Sequence, residues 1–487
     1  MSTASLPVVV IGAGPIGLAA AAHLIVRGFT PLLLEAGPSV GSGMLRWGHV
    51  RMFSPWEYSI DKMAAKLLAK SGWKVPDLAA FPSGRELVED YLQPLAATPE
   101  LAPHLHFNAR VQAVSRQRRD RMKDAQRNQL PFLVRYIDQQ GEHDLLAQAV
   151  IDASGTIESP NPLGASGLPA LGERALSSQI VYGMPDVLGA QRQRYAGKRV
   201  LVVGSGHSAF NVLSDLAKLT QQAPNTQIHW AIRRPTVSRV LGGGEHDQLA
   251  ERGRLGITIG RLLEQGTISV ATGVHIDRIA PTADGLVAFS DERPLPPVDE
   301  IVAATGFRPD NALLSELRLS LDAGTEAPLA LAPLIDPNLH SCGSVRPHGA
   351  EELQHPDSNV FIVGMKSYGR APTFLLLTGY EQVRSVVAAI AGDWEAARRV
   401  ELVLPETGVC ITQFAEDEAP ATAGCCGPAL DVDTAKRDAV LGATASTPDG
   451  CCGGPPVERQ QACCVADEHS KRSGKAGCGC STPARAA

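Results

Sequence analysis

Residues 8–35 read VVVIGAGPIGLAAAAHLIVRGFTPLLLE, and this stretch decides the fold. The opening run of β-branched residues predicts a buried strand. An Ala/Leu-rich pattern from Leu18 to Val26 predicts a helix, which Gly28 is placed to end. Leu32–Leu34 predicts a second strand that stops at Glu35. The order strand, glycine turn, helix, strand is typical of a dinucleotide-binding unit.

Three glycines follow the first strand, and each is expected to do a different task. Gly12 permits a tight turn, Gly14 lets the backbone approach a pyrophosphate, and Gly17 permits close packing of the helix on the strand. The N-terminus of the helix offers free N–H groups to the phosphates. Glu35, 18 residues after Gly17, can accept a hydrogen bond from a ribose 2′-hydroxyl. A glycine-containing turn of another α/β protein is the alternative, but all these features fall in register here.

The composition excludes several classes of function. The chain has 487 residues, enough for two or three domains, and its 44% hydrophobic and 20% charged residues are typical of a soluble globular protein. A net charge of −6 gives no indication of nucleic-acid binding, and no run is long enough to span a membrane. Of ten cysteines only Cys342 precedes residue 400, so a disulfide framework is excluded there and a cytoplasmic location is expected.

The segment after Glu35 contains further candidate contacts for a cofactor. A glycine-rich loop is followed by Leu45–Trp56, which is dense in aromatic and basic residues such as Arg46 and Trp47. These side chains could line the binding site of a flavin ring, or they could simply pack in the protein core. A basic stretch follows, flanked by strand-like runs at 105–114 and 131–137. The first of these runs includes Val111, a further candidate contact for the cofactor. The basic stretch predicts a solvated hairpin tip.

The opening pattern then recurs in a second copy. Arg199–Val203 predicts a strand, and Ile228–Ile232 predicts the strand after the next helix. The second strand ends in Arg233 and Arg234 rather than in an acid. Guanidinium groups can pair with a 2′-phosphate, so NADPH is expected here, although two solvated arginines are the alternative. The loop between strand and helix, with Ala209 in place of a third glycine, supplies the candidate contacts Gly204, Ser205, Gly206, His207 and Ser208.

Two nucleotide sites on one chain indicate electron transfer between two cofactors. Glu35 assigns FAD to the first site, and the paired arginines assign NADPH to the second. Apolar strands at 300–304 and 359–363 lead into further glycine turns, of which Gly364 is a candidate flavin contact. A helix pattern begins near Thr373, and its N-terminus could face the flavin pyrimidine, where negative charge gathers on reduction.

The chain resembles the two-dinucleotide-binding flavoproteins, especially flavin-containing monooxygenases and their Baeyer–Villiger relatives. The matching motifs are GAGPIG at residues 12–17, GSGHSA at 204–209 and ATGFRP at 304–309. The resemblance implies an α/β fold with two Rossmann-like domains. The FAD domain would be discontinuous, over 1–165 and 301–400, and the NADPH domain inserted at 166–300. The family's FxGxxxHS signature has no good counterpart, and Gly364-Met365 stands where related reductases have Gly-Asp.

Two further segments are similar to the flavoprotein monooxygenases of bacterial arsenic-resistance operons. They are CGSVRPHG at residues 342–349 and GMKSYGRAPTF at 364–374. This likeness implies a monooxygenase that uses NADPH, FAD and O2 to oxidise a trivalent arsenical (arsenite, methylarsenite or antimonite) to its pentavalent form. The oxygen transfer would proceed through a C4a-(hydro)peroxyflavin.

The C-terminal residues 406–487 form a segment rich in Ala, Gly, Pro and Cys, and we expect a flexible tail. Adjacent Cα atoms lie about 3.8 Å apart, whereas an unstrained disulfide needs about 4.4 Å or more, so adjacent cysteines make poor disulfides. Thiolates prefer soft centres such as trivalent arsenic. Adventitious zinc or copper binding, or a tail without function, are the alternatives. The candidate metalloid ligands here are Cys425, Cys426, Cys451, Cys452, Cys463, Cys464, Cys478 and Cys480.

In the part of the chain before the tail, which we call the body, three residues are candidates for a direct role in the chemistry. Cys342 is the only thiol there and could hold the arsenical near the flavin, with His348 and His355 as helpers. An inert buried cysteine is the alternative for Cys342. Two other functions remain open: a flavin-dependent dithiol or metal reductase that uses the tail cysteines, and a metalloid-binding buffer protein.

Overall fold

A computed structural model describes residues 6–238, 240–242, 250–339, 346–371 and 374–402. In chain order the strands are β1 (Val8–Ile11), β2 (Pro31–Leu34), β3 (Leu105–His106), β4 (Arg110–Arg116), β5 (Phe132–Asp138), β6 (Gly141–Ala147), β7 (Ala149–Asp152), β8 (Ile180–Tyr182), β9 (Arg199–Val203), β10 (Gln227–Ala231), β11 (Ile268–Ala271), β12 (Ile276–Thr282), β13 (Gly285–Ser290), β14 (Arg293–Pro294), β15 (Glu300–Ala303) and β16 (Val360–Ile362).

The helices are α1 (Pro15–Val26), α2 (Ser42–Leu45), α3 (Lys62–Lys70), α4 (Gly84–Leu87), α5 (Gln93–Ala96), α6 (Arg192–Tyr195), α7 (His207–Gln222), α8 (Ala250–Glu264), α9 (Ala332–Ile335), α10 (Leu376–Ile390) and α11 (Trp394–Arg398). A π-helical turn, Val88–Leu92, joins α4 to α5. No helix among the described residues combines the length and the apolar character that a membrane span requires.

The first sheet is parallel and has the strand order β16-β7-β1-β2-β3. All four residues of β1 are buried because the sheet is covered on both faces, which explains the unbroken apolar run in the sequence. The helix α1 follows β1 and packs its alanines into the same core. It ends at Val26, as expected, and Gly28 adopts a φ of +81° directly after it.

The second sheet is also parallel, with the order β11-β10-β9-β15-β8. The helix α7 covers it and buries residues at helical spacing, such as Phe210, Leu213 and Leu216. The strand β15 pairs with β9 and β8 over Ile301–Ala303. The boundary expected between residues 300 and 301 therefore falls inside a strand of the second sheet. The chain forms this last strand of the second sheet before it returns to the first sheet. The other domain boundaries stay predictions.

Two antiparallel three-stranded sheets complete the fold, β4-β5-β6 and β12-β13-β14. The two chain crossings between the parallel sheets lie side by side. Thr305 Oγ1 donates to the carbonyl of Asn161 (2.7 Å), and Asn161 Nδ2 donates back to the carbonyl of Thr305 (3.1 Å). Outgoing and returning chains are thus tied to each other between the two sheets.

The basic stretch from Arg116, at the end of β4, to Arg127 is not a uniformly solvated tip, and the prediction was wrong for these two arginines. The side chains of Arg116 and Arg127 are only 2% and 4% exposed, and both contact the fully buried carboxylate of Asp357. Arg127 binds it with two hydrogen bonds, from Nε to Oδ1 and from Nη2 to Oδ2, each 2.8 Å long. The backbone N–H of Arg318 also donates to Oδ2 (2.7 Å). This Asp357 cluster joins the hairpin to the segment that enters β16.

Candidate functional site

The first glycine loop has the geometry expected from the sequence. Gly12 has a φ of +97°, and a Cβ there would lie 2.9 Å from the carbonyl oxygen of Ala153. A Cβ on Gly17 would overlap the carbonyl oxygen of Gly12, so helix and strand approach as closely as predicted. A Cβ on Gly14 would have no heavy atom within 4 Å. The middle glycine therefore faces open space at the N-terminus of α1, where an anion would be favoured.

The carboxylate of Glu35 holds this loop together. Its Oε2 accepts from the N–H of Ala13 (2.7 Å), and its Oε1 accepts from the N–H of Gly37 (2.8 Å). Each carboxylate oxygen has a second lone pair, so hydrogen bonds to a ribose stay possible and remain a prediction. Val111 lies in β4, which begins shortly after Ala109, whose N–H donates to the carbonyl of Glu35 (2.9 Å).

In the aromatic and basic segment after this loop, some side chains are packed in the interior and others lie on the surface. Trp47 packs against Gly84, since a Cβ on that glycine would lie 2.7 Å from Trp47 Cζ3. Trp47 thus fits the packing alternative. Arg46 is exposed and pairs with Glu158 (2.6 Å). Phe53 reaches the second glycine loop, where its ring centroid lies 5.2 Å from that of His207.

A third turn, after β16, lies at the same edge of the first sheet. Gly364 has a φ of +69°, and its N–H donates to Gln382 Oε1 (2.7 Å). Gln382 Nε2 donates to Ser367 Oγ and to His348 Nε2, both at 2.9 Å. His348 Nδ1–H donates in turn to the carbonyl of Arg346 (3.0 Å). This network fixes the turn from the first half of α10.

His348 has a place in this network that differs from the predicted role. Its side chain is buried, both ring nitrogens are engaged, and burial lowers the pKa of the imidazole below its usual value. A neutral ring is what the network requires, because Nε2 must accept from Gln382. The geometry therefore supports a positioning role for His348 rather than contact with a substrate.

His355 does not lie with the glycine turns. It precedes β16 and its Nδ1 accepts from the N–H of Ser320 (3.2 Å), beside Asp357. The strands of the first sheet are parallel, so the residues before β16 lie at the opposite edge from Gly12 and Gly364. The structure therefore does not bring His355 together with the glycine turns, and its role as a helper in catalysis stays a prediction.

Burial lowers the pKa of His355 to about 4, and this makes a testable contribution to stability. Between about pH 6.5 and pH 4 the unfolded imidazole takes up a proton that the folded one does not, so stability falls as the pH falls. From pH 7 to pH 5.5 we expect a loss of about 1 kcal/mol at this residue. Urea unfolding at both pH values should show a smaller loss in His355→Asn, which keeps an acceptor near Nδ1. His106 is exposed, so His106→Asn should lose as much stability as wild type. Equal losses in wild type and both variants would contradict the contribution of His355.

The second glycine loop repeats the geometry of the first. Gly204 has a φ of +130°, and a Cβ there would overlap the carbonyl oxygen of Ala304. A Cβ on Gly206, at the N-terminus of α7, would meet no atom within 4 Å. Trp230 Nε1 donates to the carbonyl of Gly204 (2.7 Å) and fixes the loop from below. Ser205, His207 and Ser208 border the open glycine and are half-buried.

The two arginines after β10 have different surroundings. Arg233 is exposed and makes no hydrogen bond or ion pair with another described residue. Arg234 is half-buried, and its carbonyl accepts from the N–H of Gly273 (2.9 Å). Arg233 is thus the available cation at the carboxyl end of the strand, on the side where a 2′-phosphate is expected.

Sequence reasoning missed one buried ion pair at the site. Lys366 Nζ donates to Asp152 Oδ2 (2.7 Å), and the two side chains are 1% and 0% exposed. The available signal was an acid at the end of an otherwise apolar strand, in AVIDASG at residues 149–155. Its partner lies more than two hundred positions later and could not be recognised from spacing.

Several predicted residues lie outside the described ones, namely Cys342, Thr373 and all cysteines of the tail. Within the described part of the chain, no group of three or more His, Cys, Asp or Glu side chains is placed to hold a metal ion.

Two glycine loops at the carboxyl edges of two parallel sheets define the class: a two-dinucleotide-binding flavoprotein of α/β fold. The profile of the family described as pyridine nucleotide-disulphide oxidoreductase matches residues 9–332, and the chain belongs to this family. It is thus an FAD-dependent oxidoreductase that uses a pyridine nucleotide. The residues present fit FAD, because Gly14 and Gly155 both face open space that a Cβ would enter.

The relatives include reductases and monooxygenases. A ferredoxin–NADP reductase of Salinispora arenicola is 29% identical over 330 residues, which cover 65% of this chain and 79% of that protein. The indole-3-pyruvate monooxygenase YUCCA1 of Oryza sativa is 30% identical over 212 residues, covering 43% and 45%. The FAD-bound cadaverine monooxygenase DfoA of Erwinia amylovora shares the fold, with a TM-score of 0.56, 17% identity and coverage of 86% and 100%.

Proposed function

We propose that this protein is an NADPH- and FAD-dependent monooxygenase that oxidises trivalent arsenicals to pentavalent products. The observation that carries the redox part is the pair of open glycines, Gly14 and Gly206, each at the start of a helix. Glu35 lies beside the first of these glycines, and the exposed Arg233 follows β10 in the second sheet. An acid at one site and an exposed cation at the other fit FAD and NADPH respectively.

The described residues bind and orient the two nucleotides. The first turns of α1 and α7 present N–H groups that lack helical partners to the phosphates, and Gln382 and His348 hold the Gly364 turn in place. When bound, FAD supplies the two-electron chemistry: electrons from NADPH reduce O2, one atom of which is added to the substrate while the other leaves as water.

The arsenical is proposed from the distribution of thiols in the sequence. A trivalent arsenical has a lone pair that an oxygen atom can take up and a strong preference for thiolate ligands. Cys342 and the adjacent cysteine pairs after residue 420 offer such ligands. Free thiols of this kind fit a reducing cytoplasm. Residues 1–402 contain one cysteine, so no internal disulfide can form there, which argues against a dithiol reductase within the body.

The test is stimulation of NADPH and O2 consumption by methylarsenite or arsenite in the purified protein. We expect one NADPH and one O2 to be consumed for each pentavalent product formed, with chromatographic separation of the arsenic species as the readout. Removal of residues 406–487 should leave turnover at saturating substrate intact and weaken capture at low substrate. Failure of every trivalent arsenical to stimulate consumption would overturn the proposal.

A flavin-dependent reductase is the second candidate, which the similarity to a ferredoxin–NADP reductase favours. A reductase would transfer electrons from NADPH to an acceptor under argon, whereas the proposed monooxygenase stops after one reduction of its flavin. Anaerobic turnover with ferredoxin, or loss of turnover on removal of the tail, would favour the reductase.

The preference for NADPH is expected to depend on Arg233. Arg233→Ala should raise the KM for NADPH about tenfold, the effect of one exposed phosphate contact, and leave the KM for NADH unchanged. Steady-state rates with both nucleotides measure this. Arg293→Ala, at an exposed arginine of β14 in the same part of the fold, is the matched control and should change neither KM. Equal increases for the two nucleotides would contradict a role in binding the 2′-phosphate.

A further inference from the structure

The buried pair Asp152–Lys366 is unusual because its hydrogen bonds are incomplete on one side. Asp152 Oδ1 accepts from the N–H of Ser154 (3.0 Å) and from its hydroxyl (2.6 Å), and Oδ2 accepts from Lys366 Nζ. The ammonium group donates a second hydrogen bond to Ser154 Oγ (3.1 Å). Both carboxylate oxygens thus accept hydrogen bonds, whereas one of the three N–H groups of Lys366 has no acceptor among the described residues.

Stability alone does not account for such a pair. Replacing a buried ion pair by apolar residues is often neutral or stabilising, and a buried donor without an acceptor costs free energy. The side chain of Lys366 is 1% exposed, so bulk water does not offer a general substitute for the missing acceptor. The third N–H is therefore available to a group that binds in direct contact with it.

The location identifies the group. Ser154 lies against the first glycine loop, since its Cα would be 3.1 Å from a Cβ on Gly12. The next residue, Gly155, has a φ of +71° and faces open space, as Gly14 does. The open space at the pyrophosphate position of α1 is therefore matched by open space at Gly155, next to Ser154, whose hydroxyl accepts from Lys366 Nζ.

The strand order decides which half of FAD occupies that space. Glu35 follows β2, on one side of β1, while Asp152 ends β7 and Gly364 follows β16, on the other side. If the adenosine ribose is bound at Glu35 and the pyrophosphate at Gly14, the ribityl and isoalloxazine half must extend toward β7 and β16.

We propose that Lys366, oriented by Asp152 and Ser154, donates its third N–H to an acceptor oxygen on the flavin half of FAD. The inference rests on the FAD part of the proposed function and is independent of the arsenical substrate. It makes Lys366 a cofactor-binding residue and Asp152 a positioning residue that sets the direction of the ammonium group.

The test compares FAD with ADP-ribose, which contains the adenosine diphosphate half alone. The double variant Asp152→Asn/Lys366→Met removes both charges and leaves no unpaired ion. In protein freed of FAD, we expect its affinity for FAD to be at least about 10-fold weaker than wild type and its affinity for ADP-ribose to stay within about twofold. Calorimetric titration gives both constants, and thermal unfolding of the apoprotein monitors the fold.

Two controls separate this role from a structural one. Asp357→Asn breaks a buried ion pair at the opposite edge of the same sheet and should leave the FAD affinity of the folded protein unchanged. If this double variant does not fold, Asp152→Asn/Lys366→Gln is used instead. It keeps a hydrogen-bonded pair, but the glutamine side chain is shorter than lysine and does not reach the cleft. We again expect weaker binding of FAD and unchanged binding of ADP-ribose.

Wild-type affinity for FAD in a folded double variant would overturn the inference, and so would equal losses for FAD and ADP-ribose. A wild-type protein that binds no FAD would overturn both this inference and the proposed function. An FAD-binding protein that is inert toward arsenicals would overturn the proposed function alone.

Discussion

Gly14→Val is expected to give a folded protein that purifies without FAD. Gly14 has an extended backbone, with φ −79° and ψ −174°, which valine adopts without strain, and no atom lies where the new Cβ would be placed. The side chain would instead fill the space in front of α1 that the pyrophosphate needs. We expect FAD binding to weaken by about 100-fold or more, equivalent to about 3 kcal/mol. The cost to folding should stay near 1 kcal/mol, because valine is a poorer N-cap than glycine.

The measurement is the absorbance of bound flavin in the purified variant, together with its thermal unfolding. Gly28→Ala is the matched control: Gly28 has a φ of +81° and open surroundings, so the change costs about 1 kcal/mol of strain and should leave flavin binding intact. A yellow Gly14→Val protein with wild-type affinity for FAD would show that the pyrophosphate does not lie at this loop.

Asp357→Asn is expected to destabilise the fold by about 3–5 kcal/mol, because it leaves two buried guanidinium groups without their counter-charge. Arg127 would lose both of its charge-assisted hydrogen bonds, and Arg116 would lose its contact through Nε (3.4 Å). Asp144→Asn is the control, since Arg135 binds that carboxylate in the same two-bond geometry at 2.8 and 2.9 Å. Both of those side chains are exposed, so a loss below about 1 kcal/mol is expected.

The destabilisation should depend on pH in a defined direction. Burial raises the pKa of Asp357, but the hydrogen bonds from Arg127 and Arg318 outweigh it and hold the pKa below the usual value. A carboxyl with a lowered pKa contributes stability above about pH 4, and this contribution is lost as the pH falls further. Urea unfolding of wild type and variant should therefore differ most near neutral pH and converge in acid. A constant difference down to pH 3 would contradict the charge-based explanation.

The parts of the fold that could be predicted from the sequence are those set by local chemistry. A run of four buried residues, a turn that needs φ above 0 at Gly12 and a close approach at Gly17 are all encoded within ten positions. The same holds for the second loop, because Gly204 and Gly206 repeat the pattern. Helix and strand limits there agree with expectation within about three residues.

Partners far apart in the chain could not be predicted. Arg116 and Arg127 look like surface charges in a basic run, and Asp357 has no local feature that connects it with them. Their burial follows only from the return of the chain to β16. His355 illustrates the same limit: closeness to His348 in sequence does not determine which edge of the sheet a residue reaches.

The site shows the same division. The glycines were recognised because conformation limits the choice of residue, whereas Gln382, which holds the Gly364 turn, is an ordinary helical residue in sequence. Its role depends on α10 packing beside the turn. The strand β15 illustrates a third limit, since a run of apolar residues indicates a strand but not the sheet that it joins.

The hydrogen bond from Trp230 to Gly204 has a practical consequence. The indole of Trp230 is 1% exposed and donates a hydrogen bond to the Gly204 carbonyl, in the loop that is expected to bind the second nucleotide. Any displacement of that carbonyl alters the polarity felt by a buried chromophore. Occupancy of the second crevice can therefore be followed through ultraviolet emission, without a label and in protein stripped of its yellow cofactor.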